Sequence, residues 1–177
     1  MPMDMNRYSA SPGIYPGSKP EYMEKWEIME YCIDNGVLWD FRDEEYHTRI
    51  TIPHGVRVIG EAAFANNEFL YHVVIPDTVE RIERDAFLNC STLSWVLIPD
   101  SVTYIGPYAF ADCRSLKSIY IPESVTEINP SAFWIHKDWD EYLPCGPFYI
   151  YGKQGSEAER FAHRHPFIFK ESTADNH

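Results

Sequence analysis

Residues 93 to 113 read Leu93-Ser94-Trp95-Val96-Leu97-Ile98-Pro99-Asp100-Ser101-Val102-Thr103-Tyr104-Ile105-Gly106-Pro107-Tyr108-Ala109-Phe110-Ala111-Asp112-Cys113. Steps of 23 residues in either direction return the same apolar skeleton. Ile-Pro recurs at Ile52-Pro53, Ile75-Pro76, Ile98-Pro99 and Ile121-Pro122, and Ala-Phe at Ala63-Phe64, Ala86-Phe87, Ala109-Phe110 and Ala132-Phe133. Val56, Val79, Val102 and Val125 keep the step, as do Ile59, Ile82, Ile105 and Ile128, and Leu70, Leu93 and Leu116 complete it. Apolar positions held in one register through four copies define an internal repeat, and a repeat of this length implies stacked units.

Each copy has a physical reading. The run Leu116-Lys117-Ser118-Ile119-Tyr120-Ile121 alternates toward its end, as a strand with one buried face does. Proline follows, cannot donate to a ladder, and stops the pairing. Val125 and Ile128 turn inward on the return path. Gly106-Pro107-Tyr108-Ala109-Phe110 reads as a short turn or one helical turn that drops a phenylalanine into the core. One copy cannot bury its apolar face alone, whereas stacked copies form a continuous core. The expected fold is a leucine-rich-repeat-like solenoid with a parallel β-sheet on one face and short turns or helical turns on the other, capped at both ends. Neighbouring strands would lie about 4.8 Å apart.

These residues resemble the BspA-like branch of the leucine-rich repeat family, whose repeat is similar to Leu-x-x-Ile-x-Ile-Pro-x-Ser-Val-Thr-x-Ile-Gly-x-x-Ala-Phe-x-x-Cys. Residues 93 to 113 match it almost throughout, and the resemblance extends over about residues 33 to 169. Departures occur where the glycine kept as Gly60 and Gly106 becomes Glu83 and Asn129. If that position needs a positive φ, Glu83 is costly and its turn should differ locally. The fourth copy loses the pattern after Phe133, and Trp134 to Pro147 reads as an irregular insertion.

The ends read as caps. Residues 1–19, rich in Pro, Gly and Ser, are expected to be a disordered N-terminal segment. Residues 20–49 form the N-terminal cap. Ser18-Lys19-Pro20-Glu21 has capping-box spacing ahead of Tyr22, Met23, Trp26 and Met29 at helical spacing, and Asn35-Gly36 between Cys32-Ile33 and Val37-Leu38 predicts a hairpin. The four repeats occupy 50–133, the insertion and C-terminal cap 134–170, and a tail 171–177. Within the second cap, Gly155-Ser156-Glu157-Ala158-Glu159 predicts a short helix to about His163, and Phe167-Ile168-Phe169 a closing strand. Ile150-Tyr151-Gly152, Gly155-Ser156, Ala158 and Ala162 resemble the tail that ends many BspA-like arrays. With both caps the chain is expected to fold as a monomer with no repeats missing.

Composition bounds the function. A chain of 177 residues with 45% hydrophobic content can bury one core. Its net charge of -12 argues against nucleic acid, which needs clustered Lys and Arg, and against anionic lipid. No stretch is apolar for the roughly 20 residues of a membrane helix. Met1 to Gly17 lacks the features of a secretion signal, so the expected location is cytoplasmic for a full-length product, and cell surface or secreted if a signal was trimmed.

Function in a solenoid sits on the residues that alternate outward from the sheet. With Leu70, Val73 and Ile75 inward, one outward row is Arg49, His72, Trp95 and Ser118. The second is Thr51, Val74, Leu97 and Tyr120, extended by Tyr149. A row reading Val, Leu, Tyr beside a tryptophan is unusually apolar for a solvated face, and such patches mark interaction sites. The bland alternative is that the insertion, the N-terminal segment or a second copy covers it. Five strands about three outward residues high outline roughly 300 to 400 Å², against about 800 Å² per partner in a standard interface. Edges, the insertion or multiple copies would have to contribute.

Other chemistry has little support. Cys90 and Cys113 share a repeat position at a spacing that permits a disulfide, but reduced core thiols fit better. No Cys-x-x-Cys pair frames a zinc site. His163-Arg164-His165 suits a helix end, and Asp138, Asp140 and Glu141 lack the pattern of a calcium loop. No nucleophilic triad or phosphate loop is present, so neither a cofactor nor a metal is expected. The resemblance implies a binding role, because BspA-like proteins are known as often surface-exposed adhesins that bind extracellular-matrix proteins. It carries no particular ligand over, since outward residues vary while the core pattern stays fixed. Three readings stand: a protein-binding module using the sheet face, a scaffold that self-associates through it, and an enzyme with an unrecognised site.

Overall fold

The computed structural model describes residues 31–42, 47–137, 141–144 and 147–172. The segment over 1–19, the helix expected before Tyr31, Cys145 and the tail beyond Ser172 lie outside these residues.

The described chain opens with a hairpin, β1 (Tyr31–Asp34) and β2 (Val37–Phe41), paired antiparallel with Asp34 opposite Val37. Asn35 and Gly36 both take positive φ, 49° and 77°, which is the tight turn that Asn-Gly favours. Each repeat then supplies two short strands. The first is β3 (Arg49–Thr51) with β4 (Val58–Ile59), and the second β5 (His72–Val74) with β6 (Arg81–Ile82). The third is β7 (Trp95–Leu97) with β8 (Tyr104–Ile105), and the fourth β9 (Ser118–Tyr120) with β10 (Glu127–Ile128). After them come β11 (Trp134–Lys137), β12 (Glu141–Pro144), β13 (Tyr149–Gly152), α1 (Glu157–Arg164) and β14 (Ile168–Glu171).

The repeats build two six-stranded sheets instead of one. The expected sheet is six-stranded, in the order β14-β13-β9-β7-β5-β3, and its strands are parallel. A second sheet runs β1-β2-β4-β6-β8-β10 and is parallel from β2 onward. The return path, expected as turns, therefore contributes strands of its own. They are two residues each, too short to show alternation in sequence.

The turn after the second strand keeps one shape through three repeats. Positive φ falls at Ala62, Asp85 and Tyr108, and again at Asn66, Asn89 and Asp112. The position held by Gly60, Glu83 and Gly106 is not among these residues, which corrects the idea that it requires a left-handed conformation. Glu83 therefore fits without distorting its turn. Gly106 answers to space instead, because a Cβ there would lie 2.8 Å from the backbone carbon of Glu83.

Phe64, Phe87, Phe110 and Phe133 stack as a buried ladder, with ring centroids 4.9, 5.2 and 5.4 Å apart and planes within 5° of parallel. Phe41 extends it at one end, 5.1 Å from Phe64, and Phe148 at the other, 5.5 Å from Phe133. Cys90 and Cys113 are fully buried free thiols. Each donates to a carbonyl of the preceding turn, Cys90 to Phe64 and Cys113 to Phe87, both at 3.1 Å. Burial pushes the Cys90 thiol up to about 12, so it is an inert packing group.

The described part of the insertion, expected to be irregular, forms a strand pair. Its strands β11 and β12 pair antiparallel from Trp134 opposite Pro144 to Lys137 opposite Glu141. Beyond it α1 is capped as expected, with the Ser156 hydroxyl accepting from the Glu159 amide, and buries Ala158, Phe161 and Ala162. β14 then pairs with β13 and closes the sheet.

Candidate functional site

Parity along the face strands follows the expected register. Ile50, Val73, Val96, Ile119 and Ile150 point into the core and are buried. His72 pairs with Trp95, and Val74 with Leu97, which in turn pairs with Tyr120. Arg49, Thr51, Trp95, Leu97 and Ser118 are exposed, Trp95 by 41% and Leu97 by 38%, while His72, Val74, Tyr120 and Tyr149 are half-buried. One placement needs correction. Tyr149 pairs with Ser118, and Tyr151 with Tyr120, so Tyr149 extends the row of Trp95 and Tyr151 the row of Leu97. The insertion breaks the 23-residue step before this strand, which left its register open to a one-pair slip.

The centre of the face is a ring pair. The His72 and Trp95 centroids lie 3.9 Å apart, edge to face, and His72 Nε2 is shielded with no hydrogen-bond partner among the described residues. Desolvation, then Arg49 beside it, lowers the His72 pKa from the usual histidine value. Tyr71, just ahead of β5, is a further exposed aromatic residue, 48% accessible. Sequence reasoning missed it because the matching positions are Ser94 and Lys117, so no row of like residues marks it.

The second sheet presents a different surface. Its outward row is Val58, Arg81, Tyr104 and Glu127, in register from strand to strand. The Arg81 guanidinium sits 3.9 Å above the Tyr104 ring and bonds Glu83 at 2.7 Å. Beside that row Arg57 bridges Glu80 at 2.8 Å. Among the described residues, the outward rows of the first sheet carry Trp95, Leu97 and Tyr120. A cavity of about 300 Å³ beside Asp40, Phe41 and the turn from Ala62 to Phe69 lies at the N-terminal end of the array and brings no catalytic set together. Among the described residues no group of three His, Cys, Asp or Glu side chains is placed to hold a metal, and no helix is long and apolar enough to cross a membrane.

The repeat skeleton matches the family described as the BspA type leucine-rich repeat region, in six copies over residues 40–137. The chain belongs to that family. Among solved structures, this BspA-type repeat protein resembles a leucine-rich cell surface protein from Faecalibacterium prausnitzii, with a TM-score of 0.60 and 26% identity, over 78% of this chain and 35% of that one. A leucine-rich repeat protein from Bacteroides ovatus is 34% identical over 59% of this chain and 31% of its own, with a TM-score of 0.46. The leucine-rich repeat protein of T. pallidum is 20% identical, with a TM-score of 0.47, over 65% of this chain and 62% of its own. The BspA-type repeat chain thus spans about a third of the length of the first two. No functionally curated protein matches it.

In this BspA-type repeat protein the buried positions are family ones: the isoleucine of the Ile-Pro pair, the Ala-Phe pair and the rung cysteine. The outward residues carry whatever is particular to the chain. Thr78 and Ser101, one residue beyond the outward acids Asp77 and Asp100, hold the stack together instead, donating to the carbonyls of Val56 and Val79 at 2.8 and 2.6 Å.

Proposed function

We propose that this BspA-type repeat module binds another protein through the outward face of its first sheet, at Arg49, Thr51, His72, Val74, Trp95, Leu97, Ser118, Tyr120 and Tyr149. The observation that supports the reading is the contrast between the faces. One is self-paired and charged, and the other keeps a Trp95–Leu97–Tyr120 patch turned outward. Aromatic residues commonly carry most of the energy at protein contacts. The resemblance to a cell surface protein, and the adhesins among BspA-like proteins, favour an adhesin-like or scaffold role. The outlined face, roughly 300 to 400 Å², is below a standard half-interface, so a binding partner must also reach the sheet's edges.

The test is a pull-down comparing wild type with the Trp95→Ala/Tyr120→Ala double variant, with thermal melting as control. The reading expects captured partner to be lost while the melting temperature falls by only a few degrees. Unchanged capture would remove the face from the interaction, and collapse of the fold would show that these side chains are core. A second reading, self-association through the same patch, predicts concentration-dependent light scattering that the double variant abolishes.

A further inference from the structure

The apolar rows of the sheet end on an acidic edge. In successive repeats the residue after the Ile-Pro pair is His54, Asp77, Asp100 and Glu123, all of them exposed. Parallel stacking places neighbours in such a row about 4.8 Å apart. Basic side chains from the two ends of the array already sit on it. His54 Nε2 lies 3.2 Å from Asp77, and Lys153 Nζ lies 2.7 Å from Glu123. Asp100, in the middle, has no ion-pair partner among the described residues. Glu123 follows Tyr120 by three residues, past the Ile121-Pro122 pair that ends the strand, so the edge lies just beyond the aromatic row.

A patch of Val74, Leu97 and Tyr120 flanked by three carboxylates is chemically two-sided. A purely apolar partner would leave the edge unused, and a second copy would bring the same acidic edge and the same net charge of -12. Complementary charge speeds the encounter and fixes register, while the apolar anchors hold the complex. We propose that the face takes a basic amphipathic polypeptide segment of a partner protein. Its apolar side chains meet Val74, Leu97 and Tyr120, and its Lys or Arg side chains reach Asp77, Asp100 and Glu123. This inference rests on the sheet-face reading above and names the class of partner for it.

The test uses three labelled helical peptides with leucine on one side and lysine, glutamine or glutamate on the other, titrated into the full chain by fluorescence anisotropy. The expected result is binding of the lysine peptide alone, weakening as salt rises. Its affinity should fall at least tenfold in Asp77→Asn/Asp100→Asn/Glu123→Gln. It should be lost in Trp95→Ala/Tyr120→Ala and little changed in the charge-matched control Glu61→Gln/Glu80→Gln/Glu127→Gln. Glutamine or glutamate peptides binding as tightly, with loss in the Trp95→Ala/Tyr120→Ala variant, would overturn the basic partner and leave the sheet face standing. Equal weakening by the control triple variant would overturn the acidic edge as the contact. Binding unaffected by the Trp95 and Tyr120 substitutions would overturn both readings.

Discussion

The imidazole of His72 shows how far one outward position can be from solvent-like behaviour. Its ring lies edge to face against Trp95, and desolvation with Arg49 nearby lowers its pKa. His165 is lowered too, by burial first and then by Arg164, with its ring 4.5 Å from Phe161. Both side chains bind a proton near the ordinary histidine value of about 6.5 when unfolded, and only at lower pH when folded. As pH falls below that value the unfolded chain takes up more protons, so stability should decline. The urea midpoint is expected to be lower at pH 5.5 than at pH 7, with a smaller drop in His72→Gln/His165→Gln. An identical drop in that variant would mean other groups set the dependence. Gly106 offers a second test at this scale. A methyl group there would press on the Glu83 carbonyl carbon and lie 2.9 Å from the Arg84 nitrogen. Gly106→Ala should therefore cost about 1 to 3 kcal/mol in urea unfolding, and a neutral result would show that the rungs can part there.

Among the elements, the phenylalanine ladder and the face strands carry most of the order. Phe110 is 1% exposed and stacked on both sides, so Phe110→Ala should cost about 3 to 5 kcal/mol in denaturant unfolding. Trp95→Ala, which removes a ring already 41% exposed, should cost clearly less. Equal costs would contradict the division between core and face. These elements were legible because each is a residue type repeated in register, and burial leaves little choice at such positions. Phe41 and Phe148 join the ladder from outside the repeat, so no periodicity announced them. Val58-Ile59 and its counterparts form a second sheet from pairs too short to alternate. The pairing of β11 with β12 and the register of Tyr149 were hidden for the opposite reason, since neither segment repeats anything earlier in the chain.

At the scale of the molecule, each rung touches its neighbours, and the stack holds side chains of unrelated chemistry in straight rows. That property lets a fixed core present a variable face. The fold follows from what is buried, whereas the function proposed here follows from what is not, so the first was readable from the repeat and the second was not. Placement of the candidate face was readable, because parity ties every outward residue to an inward one. Photo-crosslinking decides whether this face and not the other meets a partner. A crosslinking side chain placed at Leu97 on the first sheet, or at Thr103 on the far side, would be activated in cells that make the protein. Adducts to another protein are expected from position 97 and not from position 103. Adducts from position 103 alone would contradict the account.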